Sequence, residues 1–263
     1  MSIQLIIRNP LDRDAREYIQ RAGVSNAAGR AQINEFVRGV KSLGLWSSMV
    51  CWPLRSTQNA GTGTTAFSLG GLGTFNGTLV NGPTWGVDGM TFGDSTTARI
   101  DVFNVGSTAA TVSWYAVRTR SGTQTSNYNA VIGSGTAGSR ISFVSDKDGA
   151  DRFVLAHYGG SSPMATFQSG WRGVLAVSKW QSGSLTSRLE TNGFAQETAY
   201  PGFSATQNIN RISLGNEPND VNSARSFAGT LSFGAFYTTD LSNQFAALTN
   251  LYKQTLGNGL GLP

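Results

Sequence analysis

The chain has 263 residues, of which 39% are hydrophobic and 13% charged, with 33 glycines and a formal net charge of +5. This length suffices for a self-contained core, and 14 Phe, 6 Trp and 7 Tyr exclude a disordered chain. Because there is one cysteine, Cys51, an internal disulfide framework and a multi-cysteine metal site are excluded. The apolar run around Cys51 predicts a buried structural thiol.

Residues 1–55 hold eight Lys/Arg against four Asp/Glu, a net charge of +4, so most of the net positive charge lies there. Residues 12–22 predict a short helix that Gly23 ends, and Ser25 is the expected cap of a second helix that ends at Gly44. We predict that this segment, residues 1–55, serves attachment or oligomerisation through Arg13, Arg16, Arg21, Arg30, Phe36 and Arg38. A solvated basic helix face is the alternative.

From residue 56 to residue 263, runs of strand length alternate with turn signals. The dipeptides that mark turns are Asn81-Gly82, Asp88-Gly89, Asp148-Gly149 and Asn192-Gly193. No alternation of strands with helices occurs, so a parallel sheet is disfavoured. The pattern predicts an antiparallel two-sheet sandwich. In "TVSWYAVRT" we expect both faces to be buried: Val112, Trp114 and Ala116 on one face, Tyr115 and Val117 on the other.

The stretch "FAGTLSFGAFYTTDLSNQFAALTNLY", residues 227–252, predicts a closing strand followed by a short helix. On the strand, we expect one face to carry Phe227, Gly229, Leu231 and Phe233. Asp240 or Ser242 is the expected helix cap. The helix then has an apolar stripe of Phe245, Leu248, Leu251 and Tyr252.

Five segments in this order resemble the laminin-G and concanavalin A-like jelly-roll superfamily over residues 74–252. They are "NGPTWGVDGMTFGDSTTARIDV", "ATVSWYAVRT", "WRGVLAVSKWQSGSLTSRLETNGFAQET", "RISLGNEP" and the closing stretch. The resemblance implies a jelly-roll sandwich with a short C-terminal helix.

The N-terminal segments "DRDAREYIQRAG" and "AQINEFVRGVKSLGLW", joined to such a sandwich, resemble virion proteins of tailed bacteriophages. This resemblance implies a structural protein in the tail fibre or decorating the capsid. Its implied partners are other virion proteins, further copies of the chain in a homo-oligomer, and host-surface carbohydrate.

Catalysis was tested because sandwiches of this type include glycan hydrolases, which need two carboxylates flanking the scissile bond. Glu190, Glu197 and Glu217 do not have the spacing of the glucanase motif, and no nucleophile-elbow or phosphate-loop motif occurs. We therefore expect a protein that is not an enzyme and has no catalytic residues. A glycoside hydrolase or its carbohydrate-binding module is the alternative, because carboxylates from distant strands can still meet.

Glycan binding requires an exposed aromatic platform with a few polar groups. The candidates, at strand ends or in polar loops, are Trp180, Trp171, Tyr158, Tyr128 and Asn129; most aromatic residues of a sandwich belong to its core.

No cofactor is required by any motif. Calcium is the open possibility, since "SDKDGADR" places Asp146, Asp148 and Asp151 around a turn glycine. An ordinary Asp-Gly hairpin turn explains the same residues.

These inferences predict a phage virion surface protein that displays a lectin-like sandwich, for decoration of the particle or for attachment to host glycans. The first ten residues contain too short an apolar run for a signal peptide, and no run is long enough to cross a bilayer. We expect assembly in the host cytoplasm without membrane insertion. Because no arginine-rich run occurs, we expect no nucleic-acid partner.

Overall fold

The computed structural model describes residues 10–262 with interruptions. The residues it leaves out within that range are 94–96, 108–110, 122–128, 137–138, 148–149, 158–159, 167–172, 182, 192–193, 204–208 and 218–225. For the strands between residues 136 and 203 the description is of the backbone.

Three α-helices are present: α1 (Arg13–Arg21), α2 (Ala27–Ser42) and α3 (Phe245–Gln254). The Asp12 carboxylate caps α1 by accepting from the Asp14 N–H at 2.9 Å, and the Asn26 side chain caps α2 by accepting from the Gly29 N–H at 2.8 Å. Gly23 and Gly44 end the two helices with φ of 65° and 71°. The predicted helices are therefore confirmed, except that the cap of α2 is Asn26 and not Ser25.

Sixteen strands are described, all paired antiparallel. They are β1 (Met49–Pro53), β2 (Thr65–Ala66), β3 (Gly77–Val80), β4 (Thr84–Gly86), β5 (Gly89–Phe92), β6 (Arg99–Ser107), β7 (Thr111–Ser121), β8 (Asn129–Thr136), β9 (Ser139–Lys147), β10 (Ala150–His157), β11 (Gly160–Thr166), β12 (Gly173–Gln181), β13 (Gly183–Thr191), β14 (Phe194–Phe203), β15 (Ile209–Leu214) and β16 (Gly229–Tyr237).

The strands form two eight-stranded sheets. Sheet A has the order β14-β13-β12-β7-β16-β5-β4, with β1 also paired to β16, and sheet B has the order β11-β10-β9-β8-β15-β6-β3-β2. The predicted mainly β class with two antiparallel sheets is therefore confirmed. Because β1 lies within sheet A, the expected domain boundary after residue 55 is not a break in the packing.

The first core lies between the sheets. Sheet A contributes Trp52, Trp114 and Phe236, and sheet B contributes Ile100, Val102, Ile212 and Leu214. The prediction for β7 is confirmed, since Val112, Trp114 and Ala116 belong to this core while Tyr115 and Val117 belong to a second one.

The second core lies between the other face of sheet A and the three helices. Phe36 of α2 is fully buried and makes an edge-to-face contact with Phe233 of β16, with ring centroids 5.6 Å apart. A Cβ on Gly39 would lie 2.3 Å from Leu251, so α2 and α3 need glycine at this contact. Phe36 is therefore a core residue and not an attachment residue, which corrects the prediction.

The closing strand β16 differs from its expected pattern. Leu231 points into the first core and Phe233 into the second, although the alternation of side chains predicted one shared face. The reason is a β-bulge: Leu231 pairs with Arg118 and Phe233 with Val117, so Ser232 is an extra residue on β16.

The start of α3 also corrects the prediction. Asp240 accepts hydrogen bonds from the N–H and the hydroxyl of Ser242, at 2.9 and 2.6 Å, and so closes a turn before the helix. The residue before α3 is Gln244, which forms no side-chain cap. The apolar stripe itself is confirmed, because Phe245, Leu248 and Tyr252 are fully buried.

The basic residues of the N-terminal helices differ in what they contact. Arg21 donates to Thr74 Oγ1 at 3.2 Å and to the Ser68 carbonyl at 2.7 Å, and Arg38 donates to the Pro10 carbonyl at 2.6 Å. Arg13, Arg16 and Arg30 are exposed, and Arg13 pairs with Glu17. Their role in attachment stays a prediction.

Within the described part of the chain, no helix is both long and apolar enough to cross a membrane.

Truncation of Phe36 tests the role of the second core. Replacing Phe36 by Ala removes a fully buried ring that packs on Phe233, and we expect the free energy of unfolding to fall by about 3–5 kcal/mol. Urea unfolding followed by tryptophan fluorescence measures the change. Phe103→Ala, at a ring that is half exposed, is the matched control and should change stability by less than about 0.5 kcal/mol. Equal effects of the two changes would contradict a buried role.

The link between α1 and α2 predicts a loss of stability in acid. Partial burial raises the pKa of Asp12, but hydrogen bonds from Lys41 and from backbone N–H groups outweigh it, so the pKa is lowered overall. A lowered pKa in the folded state stabilises the fold above the unfolded-state pKa, and this contribution disappears as the pH falls through the folded-state value. In Asp12→Asn the stability should therefore fall less steeply between about pH 5 and pH 2.

Urea unfolding at a series of pH values makes this measurement. Lys41→Met, which removes the partner of Asp12, should also make the loss of stability in acid less steep. If stability fell as steeply in acid in Asp12→Asn as in the unmodified chain, the effect would belong to other carboxylates.

Candidate functional site

A cleft of about 410 Å³ opens on the side of sheet A that also carries the helices. One wall is the hairpin turn between β4 and β5, and the other is formed by the ends of β5, β7 and β16. The lining residues are Gly86, Val87, Asp88 and Gly89 of the hairpin, and Thr91, Thr119, Arg120 and Thr230 of the strands. The volume lies in the range of small-molecule sites.

The hairpin wall is held in place by hydrogen bonds from outside it. Three successive carbonyl oxygens accept them: Gly86 from the Ser56 N–H at 2.9 Å, Val87 from Arg55 Nε at 2.8 Å, and Asp88 from Thr119 Oγ1 at 3.1 Å. Arg55 also donates through Nη1 to the carbonyls of Leu256 and Asn258, at 3.0 and 2.9 Å. The turn is thus anchored to the C-terminal segment.

Gly89 allows the hairpin to lie close to β16. Its φ is 138°, and a Cβ at this position would lie 2.2 Å from the Leu231 carbonyl oxygen. Since side chains are excluded by both the backbone angle and the contact, glycine is required here. The Asp88-Gly89 turn signal in the sequence therefore marks a wall of the cleft.

The opposite wall is built on a pair of β-bulges. Between the pairs Thr230–Arg120 and Leu231–Arg118, Thr119 is an extra residue on β7, and one step later Ser232 is an extra residue on β16. The extra Thr119 donates its hydroxyl to the hairpin carbonyl of Asp88. Bulges re-aim side chains and are frequent beside functional sites.

The polar groups of the cleft divide into those already bonded and those available. Thr91 Oγ1 and Thr230 Oγ1 bond to each other at 3.0 Å. Asp88 and Arg120 are both exposed, and within the described residues neither side chain has a hydrogen bond or an ion pair. Val87 is 63% exposed and gives the rim an apolar surface. The cleft therefore offers a carboxylate acceptor, a guanidinium donor, hydroxyl groups and one apolar contact.

A second cleft of about 520 Å³ lies between α1 and residues 69–74, but its charged groups already have partners. Asp14 pairs with Lys41, Glu17 pairs with Arg13 at 2.8 Å, and Arg21 is bonded to Thr74 and Ser68. The bonds with Lys41, Thr74 and Ser68 hold α1 against its surroundings, whereas Arg13–Glu17 is a pair within the helix. Charge that remains available is found in the first cleft, which is therefore the candidate site.

Two of the five candidate glycan residues from the sequence lie on described strands. Trp180 is in β12, paired with Val112 of β7, and Asn129 is the first residue of β8. Trp171, Tyr158 and Tyr128 fall outside the described residues. The role of all five residues in glycan binding stays a prediction.

Two of the candidate calcium ligands lie on the paired strands of one hairpin. Asp146 lies in β9 and Asp151 in β10, and Asp148 falls outside the described residues. Across the residues whose side chains are described, no group of three His, Cys, Asp or Glu side chains could hold a metal ion. A calcium site therefore stays a prediction.

Sequence reasoning missed the cleft because its residues come from three separate segments. The sequence marks Asp88 by a turn signal and Thr119 as the end of the run "TVSWYAVRT", but it gives no signal for Arg120. The one local signal was an Asp-Gly turn between strands rich in threonine. Cys51 was read correctly as a structural thiol: it is fully buried, and burial raises its pKa well above the usual range.

Comparisons with known proteins place the fold. No protein-family model and no curated protein matches the chain. A sialidase of Trypanosoma rangeli, solved in complex with 2,3-difluoro-KDN, is similar with a TM-score of 0.55 and 12% identity, over 86% of this chain and 39% of the sialidase.

Two further solved structures are more distant. Tailspike protein 2 of a bacteriophage of Escherichia coli O157:H7 has a TM-score of 0.49 and 13% identity, over 69% of this chain and 27% of the tailspike. Domain 4 of an extracellular arabinanase of Geobacillus stearothermophilus, in complex with arabinotriose, has a TM-score of 0.41 and 16% identity, over 77% of this chain and 87% of the domain.

These comparisons correct the prediction that the chain is not an enzyme. Solved structures that share its fold are glycosidases, as the sialidase in complex with sialic acid also illustrates, with a TM-score of 0.55. Missing carboxylate motifs in the sequence therefore did not separate this chain from carbohydrate-active enzymes. At 12% identity the likeness shows the fold, and the chain spans about two fifths of the sialidase.

Removal of the Arg55 side chain should loosen the hairpin wall. Arg55→Ala deletes the three hydrogen bonds to Val87, Leu256 and Asn258. We expect faster amide hydrogen exchange in β4 and β5, and a loss of about 1.5–3 kcal/mol in the free energy of unfolding. Exchange mass spectrometry reports the first change and urea unfolding the second. Arg30→Ala, at an exposed helix position, should leave both unchanged; unaltered exchange in Arg55→Ala would contradict the anchoring role.

Proposed function

We propose that the chain is the carbohydrate-binding sandwich of a carbohydrate-active protein and holds a sugar in the cleft beside Asp88 and Arg120. The observation that carries the proposal is the pair of charged side chains, both without partners in the described part of the chain, in a cleft lined by threonines. The fold shared with glycosidases supports it.

The chemistry of the cleft suits a polyhydroxylated ligand. Each sugar hydroxyl both donates and accepts a hydrogen bond. Asp88 can accept from one hydroxyl, Arg120 can donate to its neighbour, and the hydroxyls of Thr91 and Thr230 have remaining capacity. Val87 provides contact for the apolar face of a sugar ring. Bonds to charged groups are the stronger ones, so Asp88 and Arg120 should dominate the affinity.

The anchored hairpin favours binding by reducing its cost. Three carbonyls of the turn are bonded to Ser56, Arg55 and Thr119 before any ligand arrives. A wall that is already ordered loses little conformational freedom on binding. The cleft is therefore preorganised for a ligand of about one or two sugar rings.

The biological setting of the proposal rests on the sequence. The N-terminal helical pattern resembles virion proteins of tailed phages, and the order of the five sandwich segments resembles the concanavalin A-like and laminin-G jelly rolls. We place the protein on a phage particle, in contact with other virion proteins and further copies of itself, where the cleft would engage host-surface polysaccharide.

Substitutions in the cleft test the proposed function. A glycan array and isothermal titration with the full chain identify a ligand, and mass spectrometry of the incubated ligand detects any cleavage products. Asp88→Asn and Arg120→Ala should each weaken binding roughly ten- to hundredfold, because each removes a charged hydrogen-bonding partner. Arg30→Ala is the control and should bind as the unmodified chain does. Binding to no glycan, or an affinity in both cleft variants equal to that of the unmodified chain, would overturn the proposal.

A further inference from the structure

The outward side of sheet B carries a cluster of charged residues on β6 and β15. Ile100 and Val102 of β6 point into the core between the sheets, so Arg99, Asp101 and Phe103 lie on the opposite side of the strand. On β15, Arg211 pairs with Phe103 and Ser213 pairs with Asp101. Directly paired residues share a face, so these five side chains form one cluster, in which Phe103 is exposed while Asp101 and Ser213 are buried.

Asp101 is the centre of this cluster. Its Oδ2 accepts from Arg99 Nε at 2.7 Å and its Oδ1 from Arg211 Nη2 at 2.8 Å. Ser213 Oγ donates to the same Oδ1 at 3.1 Å. The Asp101 side chain is only 4% exposed. One enclosed carboxylate therefore holds two guanidinium groups in fixed positions.

The one carboxylate of the cluster does not neutralise both of its guanidinium groups. Two guanidiniums share one carboxylate, which leaves a net charge of +1. Arg211 Nε is enclosed and has no acceptor among the described residues, and the Arg211 side chain keeps 20% of its surface exposed. A guanidinium has five N–H donors. Among the residues whose side chains are described, the cluster therefore lacks both acceptors and negative charge for these donors.

Phe103 adds an aromatic surface beside the charge. Its side chain is 52% exposed, which is unusual for a phenylalanine in a sheet. The Arg211 guanidinium lies 5.0 Å from the centroid of the ring, close enough for a cation–π contact. An exposed ring thus stands next to a partly exposed cation.

We propose that this cluster is a second binding site, which takes a sugar that carries a carboxylate. The ligand carboxylate is paired by the guanidinium of Arg211, whose planar fork matches it, and the apolar face of the sugar ring packs on Phe103. A singly charged planar anion also matches the excess charge of +1. The site is independent of the cleft at Asp88 and Arg120, which lies on sheet A.

A matched pair of ligands tests the proposal. Short oligogalacturonate carries one carboxylate per ring, and its methyl ester has the same sugar chain without the charges. With the full chain, isothermal titration should show binding of the acid and none of the ester. The affinity for the acid should fall as salt is raised from about 50 to about 500 mM, because exposed charge pairs are screened.

Variants assign the binding to the cluster. Phe103→Ala, at an exposed position, should lower the affinity for oligogalacturonate roughly tenfold by removing the aromatic contact. Arg211→Lys keeps the charge opposite Asp101 but loses the planar fork, and should lower the affinity for oligogalacturonate by a similar factor. Circular dichroism confirms folding, and Phe103→Ala keeps the test decisive if Arg211→Lys does not fold.

The cleft variants separate this proposal from the proposed function. Asp88→Asn and Arg120→Ala should leave oligogalacturonate binding unchanged, whatever they do to other glycans. Equal binding of acid and ester, no binding of the acid, or unaltered affinity in Phe103→Ala would overturn the second site. If only Arg120→Ala lost oligogalacturonate binding, the acidic ligand would be assigned to the cleft on sheet A.

Discussion

The paired β-bulges on β7 and β16 are the constraint on which the rest of sheet A depends. β16 is buried along its whole length and pairs with β7 on one side and with β5 and then β1 on the other. The extra residue Ser232 shifts the strand by one position, so that Leu231 fills the core between the sheets and Phe233 fills the core under the helices. Without that shift, one of the two cores would lose a large apolar side chain.

Each bulge is also tied to a different neighbour. Ser232 Oγ bonds to the hydroxyl of Tyr252 in α3 at 2.7 Å, while Thr119 Oγ1 bonds to the hairpin at Asp88. The pair therefore joins the helical layer to the wall of the cleft. The N-terminal segment belongs to the same unit, because β1 extends the pairing of β16 and α2 covers Phe233. A surface for attachment must be sought in the exposed arginines rather than in buried residues such as Phe36.

Carbohydrate recognition fits this architecture because the charged groups of the cleft are held available by their surroundings. The carbonyls of the hairpin are bonded to Ser56, Arg55 and Thr119, whereas the side chain of Asp88 is exposed. In the other cleft the carboxylates are already paired with Lys41 and Arg13. Charged residues of the same types therefore play different roles in the two clefts. In one cleft they are available to a ligand, and in the other they are already paired within the chain.

The local sequence is enough to predict the helices, many strands and the turn at Asp88-Gly89, because caps, side-chain periodicity and glycine angles act over a few residues. It also determined which faces of β7 are buried, since that strand alternates regularly over Val112–Val117. Tertiary structure decided the bulge at Ser232, the start of α3 and the composition of the cleft. The cleft depends on contacts between residues 86–91, 119–120 and 230, and apart from the Asp88-Gly89 turn nothing local in the sequence marks them. The physical reason is that a side chain becomes available for binding only through what its distant neighbours leave unpaired.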